Sequence, residues 1–351
     1  MRIKMERQIK YTKSLIIILA LLACFGQALF AMEETPTLPG NFAKLSKYEQ
    51  DVIISLLSDS DLVRLAQTSR QARQVLWNKL EKKQLKAAIE LSLWEGRIKI
   101  NFSNQRLSYP TFDQFKQAVL NALEKTAQQH HPEQWISLDL ISNNLGSLSS
   151  KELKEFFQYI AKYNVVELDL DHNQLTSLPK NIFNGLHNLR ELYLFTNRLT
   201  SLPENIFNGL PKLQRLYLFN NQLNSLPEKI FNNLHNLRKL WLDDNQLASL
   251  PEKIFNNLPK LQMLELFNNQ LTSLPEKIFN NLPNLLDLNL YRNRLTSLPE
   301  KIFNNLPNLR ELWLYDNQLT SLPKNIFNGL PNLQELYCDT VHDHEQCITP
   351  S

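Results

Sequence analysis

The chain has 351 residues, of which 43% are hydrophobic and 21% charged, a balance typical of a folded protein with room for two modest domains. The net charge is +3, but residues 1–31 hold five basic residues and one acidic residue, so 33 basic and 34 acidic residues remain. This near-neutral remainder excludes a strongly basic domain, and we expect no nucleic-acid partner.

Residues 1–31 have the layout of a secretory signal peptide. Basic residues precede an apolar run from Leu15 to Phe25, and small residues follow. If it is not cleaved, the segment is instead a membrane anchor near the short limit for crossing a bilayer. The stretch Leu21-Leu22-Ala23-Cys24 resembles a bacterial lipobox, in which Cys24 is acylated. We expect export from the bacterial cytoplasm, with membrane contact only through residues 14–31 or a lipidated Cys24.

Residues 41–93 are predicted to form a small helical domain. An apolar helix, a turn, an Asp-Leu pair at Asp61 and a second helix with Ser69-Arg70 and Arg73 follow one another. This order resembles an F-box, although Leu45-Ser46 stands where F-boxes usually have Leu-Pro. The resemblance implies binding of a Skp-type adaptor of a cullin ubiquitin ligase through six apolar residues: Leu45, Ile53, Ile54, Leu57, Leu62 and Leu65. The alternative is a helical cap over the open end of the repeats that follow.

Residues 94–135 are predicted to hold one degenerate repeat and a helix. Ile98, Ile100 and Phe102 alternate as in a strand, and an amphipathic helix is predicted over Thr111–Gln128. A repeat domain is predicted over 136–351. Its entry repeat is longer than the others, and we expect a helix on its outer side with Ser149 or Ser150 as the N-cap.

Seven copies of one 24-residue unit occupy residues 165–332. A fixed period of this length indicates a solenoid, in which each unit buries its apolar face against its neighbours. Within a unit, Leu192 and Leu194 alternate with outward-pointing residues and predict a short strand. One asparagine per unit marks the register: Asn173, Asn197, Asn221, Asn245, Asn269, Asn293 and Asn317.

The units resemble the typical 24-residue subclass of the leucine-rich repeat family. The resemblance implies an α/β horseshoe with a parallel sheet on its concave face, and asparagines that hydrogen-bond to neighbouring backbone groups. Pro203 ends the strand-like segment, and Pro211 with the Asn-Gly or Asn-Asn pairs predicts short 3₁₀ or extended turns rather than a long helix on the convex side.

The outward positions of the predicted strands are rich in aromatic residues. Such side chains are enriched at protein interfaces, so we predict a partner protein on the concave face. The alternative is that duplication copied harmless rings that stack on each other. The predicted contact residues are Tyr193, Phe195, Tyr217, Phe219, Trp241, Asp243, Phe267, Tyr291, Trp313, Tyr315 and Tyr337.

The C-terminal residues Cys338, His342, His344 and Cys347 leave three interpretations open. Their spacing permits a zinc site, Cys338 and Cys347 permit a disulfide, and Cys338 also occupies the register of a core leucine. We expect neither a metal nor a cofactor. No Gly-rich phosphate loop, nucleophile elbow or zinc-protease motif appears in the sequence, and the chain ends at Ser351, so we expect no catalytic domain.

The combination of an export segment, an F-box-like segment and near-identical repeats resembles leucine-rich effectors of bacteria that live inside eukaryotic cells. The resemblance implies a non-catalytic recognition protein that is delivered into a host cell. The alternative function is an exported or surface-attached adhesion protein whose N-terminal helices are only a cap.

Overall fold

The computed structural model describes residues 97–129 and 135–339, except for the side chains of Leu107 and Gln129. The predicted signal peptide, the F-box-like segment and Cys347 lie outside these residues. Within them, no helix is long and apolar enough to cross a membrane.

In the described part of the chain, ten strands form one parallel sheet, in which each strand pairs with the next one along the chain. Equivalent residues of neighbouring repeats lie side by side, as Leu216 and Leu240 do. This register confirms the predicted solenoid with its parallel sheet. The strands are β1 Arg97–Asn101, β2 Trp135–Asp139, β3 Val165–Asp169, β4 Glu191–Tyr193, β5 Arg215–Tyr217, β6 Lys239–Trp241, β7 Met263–Glu265, β8 Asp287–Asn289, β9 Glu311–Trp313 and β10 Glu335–Tyr337.

Two helices lie between the first three strands. Helix α1 spans Phe112–Gln129, and helix α2 spans Ser150–Ile160. Ser149 is the N-cap of α2: its hydroxyl accepts a hydrogen bond from the Glu152 backbone N–H at 3.2 Å, while the Glu152 side chain binds back to the Ser149 N–H at 2.8 Å. This capping box satisfies two backbone donors that the first turn leaves without helical partners. After α2, the described convex segments form turns, as predicted.

The solenoid core is a stack of leucines behind the sheet and a column of phenylalanines behind the convex turns. Leu240 and Leu242 of the sixth strand region are completely buried, and the equivalent leucines of neighbouring repeats are buried too. Phe207 and Phe231 stack with ring centroids 6.3 Å apart, and the same spacing recurs along the column. On the other side of the sheet, the centroids of Tyr217 and Trp241 are only 4.1 Å apart. The repeats are therefore closer together on the sheet side, so the solenoid curves toward the sheet.

The repeat asparagines form a buried ladder. The Asn245 side-chain amide donates hydrogen bonds to the carbonyls of Leu218 and Leu242 at 3.0 and 3.1 Å. Its Oδ1 accepts one from the Leu223 N–H at 3.0 Å. Each asparagine thus pairs backbone groups of two adjacent turns that would otherwise be buried without partners. The role predicted for these asparagines is confirmed.

Candidate functional site

The concave face presents three outward positions in each repeat, and they form three files across the sheet. In the repeat that contains β6, these positions are Lys239, Trp241 and Asp243, which we call the first, central and third positions. The alternation is as predicted, because Trp241 is partly exposed while Leu240 and Leu242 are fully buried.

The central file holds two runs of stacked rings. Tyr193, Tyr217 and Trp241 stack with centroid distances of 4.3 and 4.1 Å. Trp313 and Tyr337 stack at 3.9 Å. Between the two runs, the central position is occupied by polar residues, Glu265 and Asn289.

The third file is also aromatic and also interrupted. Phe195 and Phe219 stack at 4.4 Å, and Tyr291 and Tyr315 stack at 4.0 Å. Phe267 lies 6.3 Å from Tyr291 in a tilted arrangement. Asp243 occupies the position between Phe219 and Phe267, so this file has an acidic gap next to the gap of the central file.

The stacked rings are half-buried, because each ring covers part of its neighbour. Tyr337, in the last described strand, is the most exposed of the predicted contact residues, at 38%. Stacking of this kind was the alternative interpretation of the aromatic files, and it does contribute stability. The partly exposed rings nevertheless leave a surface for contacts with another molecule.

Asp243 differs from the other predicted contact residues. We expected an open side chain at this outward position, but the residue is only 4% exposed. The strong curvature of the sheet brings neighbouring outward rings as close as 4.1 Å in the adjacent file, so a short side chain between two rings lies below the surface. Burial raises the pKa of Asp243 to about 7, with the nearby charges of Glu265 and Asp244 adding to the effect.

A charge network at the N-terminal end of the face was not predicted from the sequence. Arg97 of β1 forms ion pairs with Glu167 and Glu191 at 2.8 and 2.9 Å, and Arg215 pairs with Glu191 at 3.0 Å. The Tyr193 hydroxyl donates a hydrogen bond to Glu191 at 2.9 Å. Burial alone would raise the pKa of Glu191, but the hydrogen bonds from Tyr193, Arg215 and Arg97 outweigh it and lower that pKa.

A second group of carboxylates lies beside this network. Burial raises the pKa of Asp169 to about 7, and the charges of Asp139, Asp171 and Glu167 add to the increase. The His172 Nδ1 atom lies 2.7 Å from the Asp171 carboxylate. Among the described residues, no group of three or more His, Cys, Asp and Glu side chains is arranged to hold a metal ion.

Cys338 follows β10 at the end of the described chain. It is partly buried against the core, as predicted for a residue in a leucine register, and it is disulfide-bonded. Its pairing with Cys347 stays a prediction, because Cys347 lies outside the described residues, as do His342 and His344 of the alternative zinc site.

Comparison with protein families identifies the class. Residues 164–223 match a leucine rich repeat model, and residues 221–346 match a leucine-rich repeat region model. The two matches together cover more than half of the chain, and the structure has the corresponding solenoid of repeats. The chain is a leucine-rich repeat protein. Proteins of this class typically mediate protein–protein binding, and their fold is generally a non-catalytic scaffold.

Several solved structures are similar to the chain, whereas no curated protein sequence matches it. A chain of the Toll–Spatzle complex from Drosophila is 33% identical, with a TM-score of 0.53, over 59% of this chain and 27% of that one. A leucine-rich repeat protein of Leptospira interrogans is 28% identical, with a TM-score of 0.50, over 74% and 63%. TLR13 in complex with a single-stranded RNA is 26% identical, with a TM-score of 0.57, over 66% and 32%. The chain thus spans between about a quarter and two thirds of these matched chains.

Proposed function

We propose that this chain is a recognition module without catalytic activity, and that it binds a partner protein on its concave face. The supporting observation is the pair of partly exposed aromatic files on that face. Tyrosine and tryptophan supply large contact areas at little cost in conformational entropy. The matched Toll structure is a complex with Spatzle, which agrees with recognition of a protein.

Variation along the first file also supports recognition. Arg215, Lys239, Met263, Asp287 and Glu311 occupy the same position in successive repeats. The leucines behind them are the same in every repeat, so the outward residues are free of the core constraint that fixes the inward ones. A pattern of changing charge across one face is suited to a particular partner rather than to stability alone.

A protein is a better partner for this face than a nucleic acid. The similar TLR13 structure contains RNA, so RNA is the second candidate to weigh. Carboxylates of the concave face such as Glu265, Asp287 and Glu311 would oppose the phosphates of a bound strand. Retention of single-stranded RNA at 150 mM salt with an affinity above that of any protein partner would favour the nucleic-acid function.

We expect a partner to co-purify with the full chain from a eukaryotic lysate and to be lost from the variant Tyr217→Ala with Trp241→Ala. These two changes remove two of the three rings of the longest stack on the concave face, and large aromatic side chains are where interface energy concentrates. The matched control is Lys229→Ala with Lys253→Ala, two exposed residues of the convex segments. Recovery of the same partner by both variants would show that the concave face is not the binding site.

Recruitment of a ubiquitin-ligase adaptor is a further part of the proposal, and it depends on the sequence of residues 41–93 alone. Replacing Leu62 and Leu65 with aspartate is expected to abolish binding of a purified Skp-type adaptor, because both residues belong to the apolar set that the F-box resemblance assigns to the contact. Thermal unfolding of the repeats should be unchanged. If the two changes instead unfold the repeats, the segment is a cap, and the adhesion function becomes the better interpretation.

Export is also part of the proposal, and it depends on the sequence of residues 1–31 alone. When the full gene is expressed in a bacterium, we expect the protein outside the cytoplasm, because a basic start and an apolar core direct secretion. Replacing Ile18 and Leu21 with arginine should retain it in the cytoplasm. Mass spectrometry of the exported N-terminus separates the three forms: a cleaved chain, a full-length anchor, or a chain that begins at an acylated Cys24.

A further inference from the structure

At the centre of the concave face, Asp243 interrupts the third aromatic file and Glu265 interrupts the central one. Backbone hydrogen bonds place Asp243 between the two flanking repeats: its carbonyl accepts from the Asn220 N–H at 3.1 Å, and the next residue, Asp244, donates to the Phe267 carbonyl at 3.1 Å. Glu265 pairs in register with Trp241. The two carboxylates therefore lie in adjacent repeats, with Trp241 and two phenylalanines, Phe219 and Phe267, at neighbouring outward positions.

Each of these two carboxylates has one oxygen without a hydrogen-bond partner among the described residues, although a backbone N–H bonds to the Asp243 carboxylate. Asp243 is 96% buried, since only 4% of it is exposed, and its Oδ1 accepts no hydrogen bond from any described residue. The same holds for Glu265 Oε2, although the Asn289 side chain hydrogen-bonds to the Glu265 carboxylate. A carboxylate that is removed from water without a donor or a counter-charge is costly to keep ionised.

The charges that raise the pKa values of these two carboxylates are all negative, while the nearby Lys239 Nζ lies 5.8 Å from the centroid of the Trp241 ring. Asp244 and Glu265 act on Asp243, while Asp287 and Glu311 act on Glu265. The other end of the face is different, because Glu191 there is paired with two arginines. The Glu191 carboxylate is thus neutralised by the chain's own arginines, whereas the Asp243 and Glu265 carboxylates are not.

We infer that Asp243 and Glu265 receive a single lysine or arginine side chain of the partner protein. This assignment rests on the proposed function and names the chemistry of its central contact. The cation would pair with the two carboxylates, while its aliphatic stem or guanidinium plane lies against Trp241, Phe219 or Phe267. Aromatic rings beside a carboxylate favour a positive charge through cation–π attraction as well as through ion pairing.

Proton release provides a second readout of the same contact. A cation beside Asp243 favours the ionised carboxylate, so its pKa falls from about 7 and binding near pH 7 releases a proton. The other charges that affect the electrostatics of the site are the carboxylates of Asp244, Asp287 and Glu311. Lys239 and Arg310 in turn attract the charge of Asp287. The affinity for a cation should therefore increase between pH 6 and pH 8.

The test uses the full chain labelled with 5-fluorotryptophan and followed by fluorine NMR. The Trp241 resonance is identified by its loss in Trp241→Phe. The probes are three capped tripeptides with arginine, lysine or glutamine between two glycines. Two variants with the same change of charge are compared: Asp243→Asn with Glu265→Gln, and Asp169→Asn with Asp171→Asn. Because both pairs remove buried charge, both variants are expected to fold.

We expect the arginine and lysine peptides to shift the Trp241 resonance saturably, and the glutamine peptide to leave it unchanged. Binding should weaken at least tenfold in Asp243→Asn with Glu265→Gln, which should also lose the dependence on pH. It should change less than twofold in Asp169→Asn with Asp171→Asn. Equal weakening by both pairs, equal binding of the glutamine peptide, or no saturable shift would each overturn the inference.

The outcome can be separated from that of the proposed function. If the partner co-purifies through Tyr217 and Trp241 but binds Asp243→Asn with Glu265→Gln as tightly as the unchanged chain, the cation contact is wrong while concave recognition stands. If the cationic peptides bind as expected but the partner ignores the loss of Tyr217 and Trp241, the site takes a cation and the proposed protein-binding face is wrong.

Discussion

Replacing Leu242 with alanine is expected to lower the free energy of unfolding by about 2–5 kcal/mol. Leu242 is completely buried between its equivalents in the neighbouring repeats, Leu218 and Leu266. Truncation leaves a cavity, and the cavity cannot close because the neighbouring repeats are packed on both sides of it. Because each repeat contacts mainly its two neighbours, the loss weakens two interfaces at the middle of the solenoid. Urea unfolding followed by circular dichroism measures the change.

Trp241→Ala is the matched comparison, since Trp241 is next to Leu242 in the chain and lies on the opposite face of the sheet. It removes one ring from the stack with Tyr217, which should cost about 1 kcal/mol of stability. Its effect on partner binding should be the larger of the two. Equal destabilisation by the two substitutions would mean that the inward and outward positions are exchanged, and every assigned contact residue with them.

Asp243→Asn is expected to stabilise the protein at pH 8 by about 2–4 kcal/mol and to change little at pH 4. The pKa of Asp243 is about 7 in the folded state, against 3.8 for an ordinary aspartate. Between these values the unfolded chain loses its proton while the folded chain keeps it. The free energy of unfolding therefore falls as the pH rises from about 4 to about 7. Above pH 7 the loss caused by ionised Asp243 stays constant. Asparagine removes the ionisation and with it the penalty.

Unfolding curves of Asp243→Asn and of the unchanged chain at pH 4, 6 and 8 provide the measurement. The control is Asp316→Asn, which changes an aspartate whose side chain is 59% exposed and loosely paired with Arg292. Exposed pairs contribute little, so this variant should follow the unchanged chain within about 1 kcal/mol at each pH. A stability difference for Asp243→Asn that is the same at pH 4 and pH 8 would contradict a raised pKa.

The fold was predictable because every repeat has the same pattern of buried residues. The alternation of Leu192 and Leu194, the buried asparagine and the convex phenylalanine recur at a fixed spacing, so each repeat confirms the register of the others. The longer entry repeat was predictable as well, because helical spacing replaces the proline that ends the strand-like segment elsewhere. These features are local in sequence, and each is a consequence of one repeat stacking on the next.

The details of the concave face were only partly predictable. The sequence places Asp243 in an outward file, but its burial depends on the curvature of the sheet, which the sequence pattern does not specify. Arg97 of β1 reaches Glu191 of β4 across the two strands between them, and the pair is 94 positions apart in the chain. A list of outward residues contains no information about such diagonal contacts, because side-chain length and curvature decide them together.

The central claim is that a partner lies against the concave aromatic files, and site-specific photo-cross-linking tests it most directly. A benzoylphenylalanine placed at Tyr217 or at Tyr291 is expected to give the same discrete adduct in a eukaryotic lysate. The same probe at Asn233, an exposed position of a convex segment, is expected to give none. An adduct formed from Asn233 but not from either concave position would contradict the account.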